Sequence, residues 1–184
     1  MPILGVVASS FATGGSYESI ATVSVGSGGV STITFSSIPA TYKHLQIRAI
    51  AKAHPTAADA AYDLITKINN DSTYGNYTGH YLVGNGAAAN AGANNGLAIL
   101  GVSTGSSIAS VFGVMIIDIL DYANTNNNKT LKSLLGYELN GSGGIIQESL
   151  SWMNTAAINR LDFIFRTGPT FAQYSHFALY GIKG

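Results

Sequence analysis

The histidines are the side chains of this sequence that could most directly ligate a metal ion or transfer protons. There are four, at His44, His54, His80 and His176. None is spaced from another as H-x-x-x-H or H-E-x-x-H, the patterns that place two imidazoles on one face of a helix. The chain has no cysteine, which excludes disulfides, thiolate nucleophiles and cysteine-based metal sites. The sequence therefore predicts no metal site and no cofactor.

Two carboxylates in "IIDILDY", Asp118 and Asp121, come nearest to a pair that could act as acid and base. Three residues apart on a strand they point to opposite faces, whereas on a helix they would share one. An aspartate that closes a strand before an Asn-rich turn is the simpler interpretation. The sequence has no G-x-S-x-G elbow, P-loop or dinucleotide fingerprint. We therefore predict no catalytic residues and a protein that is not an enzyme.

The aromatic segment "TYGNYTGHYL" is a candidate for binding. Tyrosine-rich loops provide rigid contact area for a sugar or a protein at low entropic cost. The alternative is that these rings cap one end of the hydrophobic core. A second polar segment, "NTNNNKT" from Asn124 to Thr130, is interpreted as a turn, because asparagine tolerates left-handed backbone geometry. The candidate contact residues are Tyr74, Tyr77, His80 and Tyr81.

Charge is scarce: 46% of the residues are hydrophobic and 10% charged, against roughly 25% charged in an average soluble domain. Lys+Arg 9 balance Asp+Glu 9, so no net field attracts nucleic acid or an anionic membrane. The longest apolar stretch, "IASVFGVMIIDIL", is too short to span a bilayer, and "MPILGVVASSFATGG" lacks the basic residue of a signal peptide. Neither nucleic acid nor a membrane is expected as a partner.

The elements that must position these residues are β-strands. Tyr17–Val25, Val30–Ile38 and His44–Lys52 alternate apolar with polar residues, and the first two are predicted to form a hairpin through "GSGG". "AYDLITKIN" reads as a strand, with a helix as the alternative because Asp63 and Lys67 fit i,i+4 spacing. Asn69–Gly96 is predicted to form long loops with at most a short helical turn.

Together these runs predict an all-β fold, a jelly-roll-like antiparallel β-sandwich of about nine or ten strands with long Gly/Asn-rich loops. Residues 16–184 form its single domain, and residues 1–15 are either an N-terminal arm or the first strand. The closing strand "SHFALYGIKG" is apolar on both faces, which suits a sheet covered by the opposite sheet or by a neighbouring subunit. The candidate assembly contacts are Ile3, Leu4, Val6, Val7, Phe177 and Tyr180.

Three stretches carry a resemblance: "TFSSIPATYKHLQIRAIAK", "IIDILDYANTNNNKTLKSLLGYELNGSGG" followed by "WMNTAAINRLDF", and "FALYGIKG". In this order they resemble a family of small structural proteins of tailed bacteriophages. Asn154 stands where the family commonly has serine, and Asp71–Ser107 is the region in which the family varies. The resemblance implies a virion component with a jelly-roll-like sandwich and no catalytic residues.

From the resemblance and the composition we expect a capsid decoration or cement protein of the virion. Its partners would be itself, as a homotrimer, and other virion proteins such as the major capsid protein. The alternative is a receptor-binding or carbohydrate-binding module of a tail or fibre, which would contact a glycan on the host surface.

Overall fold

A computed structural model describes residues 15–54, 61–95, 98–104, 110–139 and 141–184. These residues form fourteen β-strands and one 3-10 turn, Tyr74–Asn76, and every strand pairing is antiparallel. The strands are β1 Tyr17–Ser24, β2 Thr32–Phe35, β3 His44–Ala51, β4 Ala53–His54, β5 Ala61–Ile68, β6 Tyr77–Gly84, β7 Ala89–Asn95, β8 Ala98–Thr104, β9 Gly113–Leu120, β10 Lys129–Glu138, β11 Gly143–Trp152, β12 Leu161–Phe165, β13 Thr170–Phe171 and β14 His176–Ile182. The predicted all-β, antiparallel fold is confirmed.

Two sheets enclose the hydrophobic core. The larger has eight strands in the order β1-β14-β3-β9-β10-β11-β6-β7, the smaller has four in the order β2-β12-β5-β8, and β13 pairs with β4 in a short ribbon. Alternate residues of each sheet point inward and are buried, such as Ile47 and Leu131 from the large sheet and Ile33 and Phe163 from the small one. The opposite face of the eight-stranded sheet, here called the outer face, points away from this core.

The predicted hairpin between the first two strands is wrong. β1 pairs with β14 in the large sheet, and β2 pairs with β12 in the small one. The linker crosses between the sheets: at Gly29, whose φ is 70°, the Phe171 carbonyl leaves no space for a side chain, and Val30 pairs with Phe171. Alternation predicts which face of a strand is buried but carries no information on its partner, which explains the error.

The segment predicted as long loops, Asn69–Gly96, contains the 3-10 turn and strands β6 and β7. The short helical turn is confirmed, and the long loops are corrected to strands, which raises the strand number above the predicted nine or ten. β6 pairs along its whole length with β11. This tertiary pairing overrides the weak strand preference of glycine and asparagine. "AYDLITKIN" is a strand, β5, between β12 and β8.

The Asn-rich segment between β9 and β10 is a turn, as predicted. Asp121 adopts a left-handed φ of 49° at its start, and Lys129 at its end is 1% exposed. The Lys129 ammonium donates hydrogen bonds of 2.6, 2.8 and 2.9 Å to the carbonyls of Asn124, Asn127 and Thr155. A buried cation thus holds the turn from the inside.

Candidate assembly surface and pockets

The predicted tyrosine patch is not one surface. Tyr77 is fully buried, and its hydroxyl donates to the Asp71 carbonyl and accepts from the Ile68 amide, both at 3.1 Å. Tyr74 is exposed at the 3-10 turn, while His80 and Tyr81 follow each other on β6 and therefore point to opposite faces. The alternative interpretation, that the rings cap the core, describes Tyr77.

The predicted assembly contacts also separate. Ile3, Leu4, Val6 and Val7 lie outside the described residues. Phe177 is fully buried between the sheets, in contact distance of the Phe163 and Phe171 rings, so it cannot be an assembly contact. Tyr180 lies on the outer face, where it stacks on Tyr17 with 4.8 Å between ring centroids. A strand in the interior of a two-layer sandwich turns one side to the core, and Phe177 is on that side.

The carboxylates and histidines do not converge. Asp118 lies on the outer face and accepts a 2.7 Å hydrogen bond from the Gln46 amide, while Asp121 pairs with Lys43 at 2.5 Å in the turn. The His44 imidazole accepts from the Asp121 amide, and His176 contacts the Ser24 hydroxyl. Over the described part of the chain, no group of three or more His, Asp or Glu side chains could hold a metal ion.

The outer face is the most unusual surface of the molecule, because large aliphatic side chains stand on it in two adjacent rows. An antiparallel sheet with one solvated side ordinarily presents polar residues to water. Here the exposed fractions of five aliphatic side chains range from 43% to 65%. We call this set the apolar band: Ile50, Leu82, Val114, Leu134 and Ile145.

Strand register makes the apolar band continuous. Ile50 on β3 lies opposite Val114 on β9, and Gly136 on β10 separates Val114 from Ile145 on β11. In the next row Leu134 lies opposite Ile116 on one side and Gln147 on the other. Leu82 on β6 lies opposite Gln147. The apolar band therefore crosses five neighbouring strands. The sequence of β9 carries a signal for it, because Val114, Ile116 and Leu120 occupy alternate positions in which polar residues are expected.

A polar row runs beside the apolar band. Successive strands contribute Gln46, Asp118, Lys132, Ser149 and His80, each opposite the next in register. Together with Leu82 and Leu120, most of this row lines a depression of 780 Å³ on the outer face. The depression offers hydrogen-bond donors and acceptors of both charge signs beside aliphatic surface, which is the chemistry needed to hold a polar ligand such as a sugar.

One end of the polar row is held by aromatic and cationic contacts. The Arg48 guanidinium lies 5.6 Å from the centroid of the Tyr17 ring and donates a 2.9 Å hydrogen bond to the Gln46 amide oxygen, which also accepts from the Tyr17 hydroxyl. Partial burial raises the pKa of Tyr17, although Arg48 acts in the opposite direction. Tyr180 lies over Tyr17, so Gln46 and Asp118 are fixed in position.

A second cavity, of 260 Å³, is lined by Glu148 of β11 with Tyr81, Asn94, Asp63 and Arg166 among its neighbours. The Glu148 side chain is 2% exposed and accepts a 3.0 Å hydrogen bond from the Asn94 amide. Burial raises the pKa of Glu148 to about 7, against the lowering effect of Asn94 and with a further rise from Asp63. Sequence reasoning missed Glu148, although alternation places it in phase with Leu150 and Trp152.

Ser133 lies directly opposite Glu148 on β10 and is fully buried. Its hydroxyl finds no hydrogen-bond partner in the described structure. A buried carboxyl whose pKa is near neutral can hold or release a proton. The cavity around Glu148 is therefore a pH-sensitive site inside the fold.

A second carboxylate, the half-buried Asp71 beside the 3-10 turn, is also held by several hydrogen bonds. The Asp71 side chain accepts hydrogen bonds from the Trp152 indole at 2.8 Å, the Asn76 amide at 2.7 Å and the Thr73 backbone amide at 2.8 Å. Partial burial alone would raise the pKa of Asp71, but these hydrogen bonds outweigh it and lower that pKa to about 2. At neutral pH, Asp71 is therefore an anion that joins the turn to β11.

Comparison with protein-family models, with curated proteins and with solved structures finds no match to this chain. In the described part of the chain, moreover, no helix is long and apolar enough to cross a membrane.

Proposed function

We propose that this chain is a structural protein of a tailed-bacteriophage virion, most specifically a capsid decoration or cement protein that packs its outer face against a neighbouring shell protein. The observation that carries the proposal is the apolar band. Soluble monomers rarely leave a continuous aliphatic surface open to water, and such surfaces are typical of interfaces. The sequence resemblance to phage structural proteins supports the same assignment.

The dimensions of the outer face suit a macromolecular partner. Seven strand spacings and three two-residue steps make the face roughly 34 Å by 20 Å. That area approaches the ~800 Å² that each partner contributes to an interface of standard size. The polar row beside the apolar band would form the polar rim, in which hydrogen bonds fix orientation. The partners are other virion proteins, such as the major capsid protein, and further copies of this chain in a homotrimer.

Antibody labelling of intact virions tests the location. A decoration protein is expected to label the head over its whole surface, with a copy number that follows the number of capsid subunits. Label confined to the tail would overturn the assignment to the shell and would leave the tail module as the remaining proposal.

The tail or fibre module is a second candidate, because the 780 Å³ depression along the polar row could hold a host-surface glycan. Its test is a glycan array probed with wild-type protein and with Asp118→Ala and Lys132→Ala variants. Thr78→Ala, which alters an exposed residue of β6 outside the lining of the depression, is the matched control. The module is expected to bind a glycan, and both lining variants are expected to lose that binding. Failure of the wild-type protein to bind would remove this candidate.

A further inference from the structure

Among the residues that the structure describes, no strand pairs with the outer side of β7, the last strand of the large sheet. It spans Ala89–Asn95, pairs in unbroken register with β6 on one side, and is last in the order of the eight-stranded sheet. Its sequence, "ANAGANN", has no charge, no proline and no large side chain. A free strand edge of this kind offers a row of backbone N–H and C=O groups to another strand.

The other outermost strands carry features that discourage such pairing. In β1 the register shifts between Ser19 and Ala21, and Glu18 forms an ion pair with Lys183 at 2.5 Å. β2 has only four residues. β8 shifts its register against β5 between Leu64 and Ile65. Bulges, charges and short length are the usual ways in which proteins protect sheet edges, and β7 lacks all of them.

The large side chains at this end of the sheet belong to β6, whereas β7 carries only small ones. Tyr81 lies opposite Gly92, and its ring occupies the space that a side chain at Gly92 would need. On the outer face, Leu82 is 60% exposed beside the small Ala91. Alanine, glycine and asparagine are weak strand formers. A second ladder of backbone hydrogen bonds and contacts with large apolar side chains would therefore stabilise β7.

We propose that β7 accepts the N-terminal apolar segment Pro2–Val7 of a second copy of this chain as a ninth strand. The segment contains the β-branched residues Ile3, Val6 and Val7, which are strong strand formers, and it has no charged side chain. It supplies the bulky apolar side chains that would cover Leu82 and the ring of Tyr81, while its backbone completes the free ladder. This is strand addition, a recurring mode of protein recognition.

Geometry favours a second copy over the chain's own segment. The segment joins the fold at β1, on the opposite edge of the same sheet, and β1 and β7 are separated by seven strand spacings, or about 34 Å. Val7 precedes Tyr17 by ten residues, which span at most about 33–36 Å when fully extended. The stretch from Val7 to Tyr17 could therefore reach β7 of the same chain only if it were fully extended along a straight line, which a twisted sheet does not allow. The contact joins different surfaces of two copies and is therefore heterologous, so it can close into a ring.

The absence of cysteine from the chain allows a clean cross-linking test. Full-length Val6→Cys is mixed with full-length Ala93→Cys of different tag length, and a short flexible thiol cross-linker is added. The matched control replaces Ala93→Cys by Thr22→Cys, an exposed position on β1. We expect a mixed dimer in the first mixture, in roughly tenfold or greater excess over the control, because docking raises the effective concentration of the two thiols.

Equal yields in the two mixtures would overturn the proposal. So would a Val6→Cys, Ala93→Cys double variant that cross-links only within one chain, since that result assigns the segment to its own sheet. Cysteine at these positions replaces a residue of the segment or an exposed alanine, so correct folding is expected and is checked by circular dichroism.

A charge on the edge provides an independent test. Ala91→Lys with Ala93→Lys places two cations beside the free ladder, and the expected result is a shift of the assembly to monomers in light scattering. Thr78→Lys, on the adjacent strand and the same face, is the control and should keep the wild-type mass. An unchanged mass for the double lysine variant would contradict the proposal.

The inference rests on the proposed assembly role, but the two fail differently. Both tests use purified protein without virions. Label on the tail would overturn the decoration assignment while the cross-link stands, and label on the head without a cross-link would overturn only strand addition.

Discussion

At the scale of single residues, the chain places ionisable groups inside a molecule that has few charges. Glu148, Lys129 and Asp71 are each buried or partly buried, and each is held by a different set of hydrogen bonds. Burial penalises the charged form, whereas hydrogen bonds to the charged form favour it. Which effect dominates determines how stability depends on pH, and the dominant effect differs between Glu148 and Asp71.

Glu148→Gln should stabilise the protein at alkaline pH. The pKa of Glu148 is raised from 4.5 to about 7, so the folded state retains a proton that the unfolded chain releases. Glu148 therefore does not lower the free energy of unfolding of the wild type below pH 4.5. As the pH rises from 4.5 through 7, that free energy falls, because the unfolded chain releases the proton first. Above that pH the variant should be more stable by up to roughly 3 kcal/mol. Urea denaturation over the pH range checks this, with exposed Glu138→Gln as control; a difference that does not vary with pH would contradict it.

Asp71→Asn should destabilise the protein at neutral pH, by roughly 1–3 kcal/mol, because the variant loses the charge that strengthens three hydrogen bonds. The pKa of Asp71 is lowered from 3.8 to about 2. Its contribution is therefore present above pH 3.8 and is lost as the pH falls through 2. Thermal denaturation of both proteins across this range is the measurement. Asp63→Asn, which breaks an exposed ion pair, is the control and should have little effect.

At the scale of elements, turns held from inside decide how the strands connect. The β9–β10 turn depends on Lys129, whose pKa is lowered by burial with a smaller opposing effect from Asp121. Its ammonium replaces the water that three backbone carbonyls would otherwise bind. An Asn-rich segment that looks like a flexible loop is in this way an ordered connection.

Lys129→Met keeps much of the side-chain volume and removes the ammonium, so three carbonyls lose a donor. We expect a loss of about 3 kcal/mol or more in the free energy of unfolding. Lys132→Met, at an exposed position of the same strand, is the control and should lie within ~0.5 kcal/mol of wild type. Chemical denaturation measures both, and equal stability of the two variants would show that Lys129 does not hold the turn.

At the scale of the whole molecule, the eight-stranded sheet has an apolar face buried inside the sandwich and an outer face on which the apolar band lies beside the polar row. The small number of charged residues is consistent with a surface that packs against other proteins, because charged residues are depleted at the centre of interfaces. The band lies on regular strands, so it is a rigid, preformed surface. Such a surface binds with a smaller ordering cost than a flexible one.

Leu134→Lys is expected to abolish packing of the outer face without harming the fold, because Leu134 is 49% exposed. Stability should stay within ~0.5 kcal/mol of wild type. The measurement is rebinding of purified protein to virions from which it has been removed. Thr130→Lys, exposed on the polar side of the same strand, is the control and should rebind. Rebinding of Leu134→Lys at the wild-type level would show that the apolar band is not the interface.

Much of the fold follows from sequence alone, because strand alternation is local. The alternation of apolar and polar residues in β3 determines that this segment is a strand and which of its side chains are buried. β14 is apolar on both faces, so its sequence predicts a strand but not which face is buried. The resemblance to phage structural proteins also arises from sequence, and it remains a proposal about function.

Tertiary structure decided what alternation cannot encode. Because β1 pairs with β14 and β2 with β12, the two strands lie in different sheets. Pairing with β11 stabilises a glycine-containing segment as the strand β6. The burial of Tyr77 and Phe177, the adjacent rows that hold Val114 and Leu134, and the place of β7 at the end of the described sheet all depend on which strands lie side by side. The physical reason is that a period of two assigns each side chain to a face, while only long-range pairing determines whether that face meets the core, a neighbour or water.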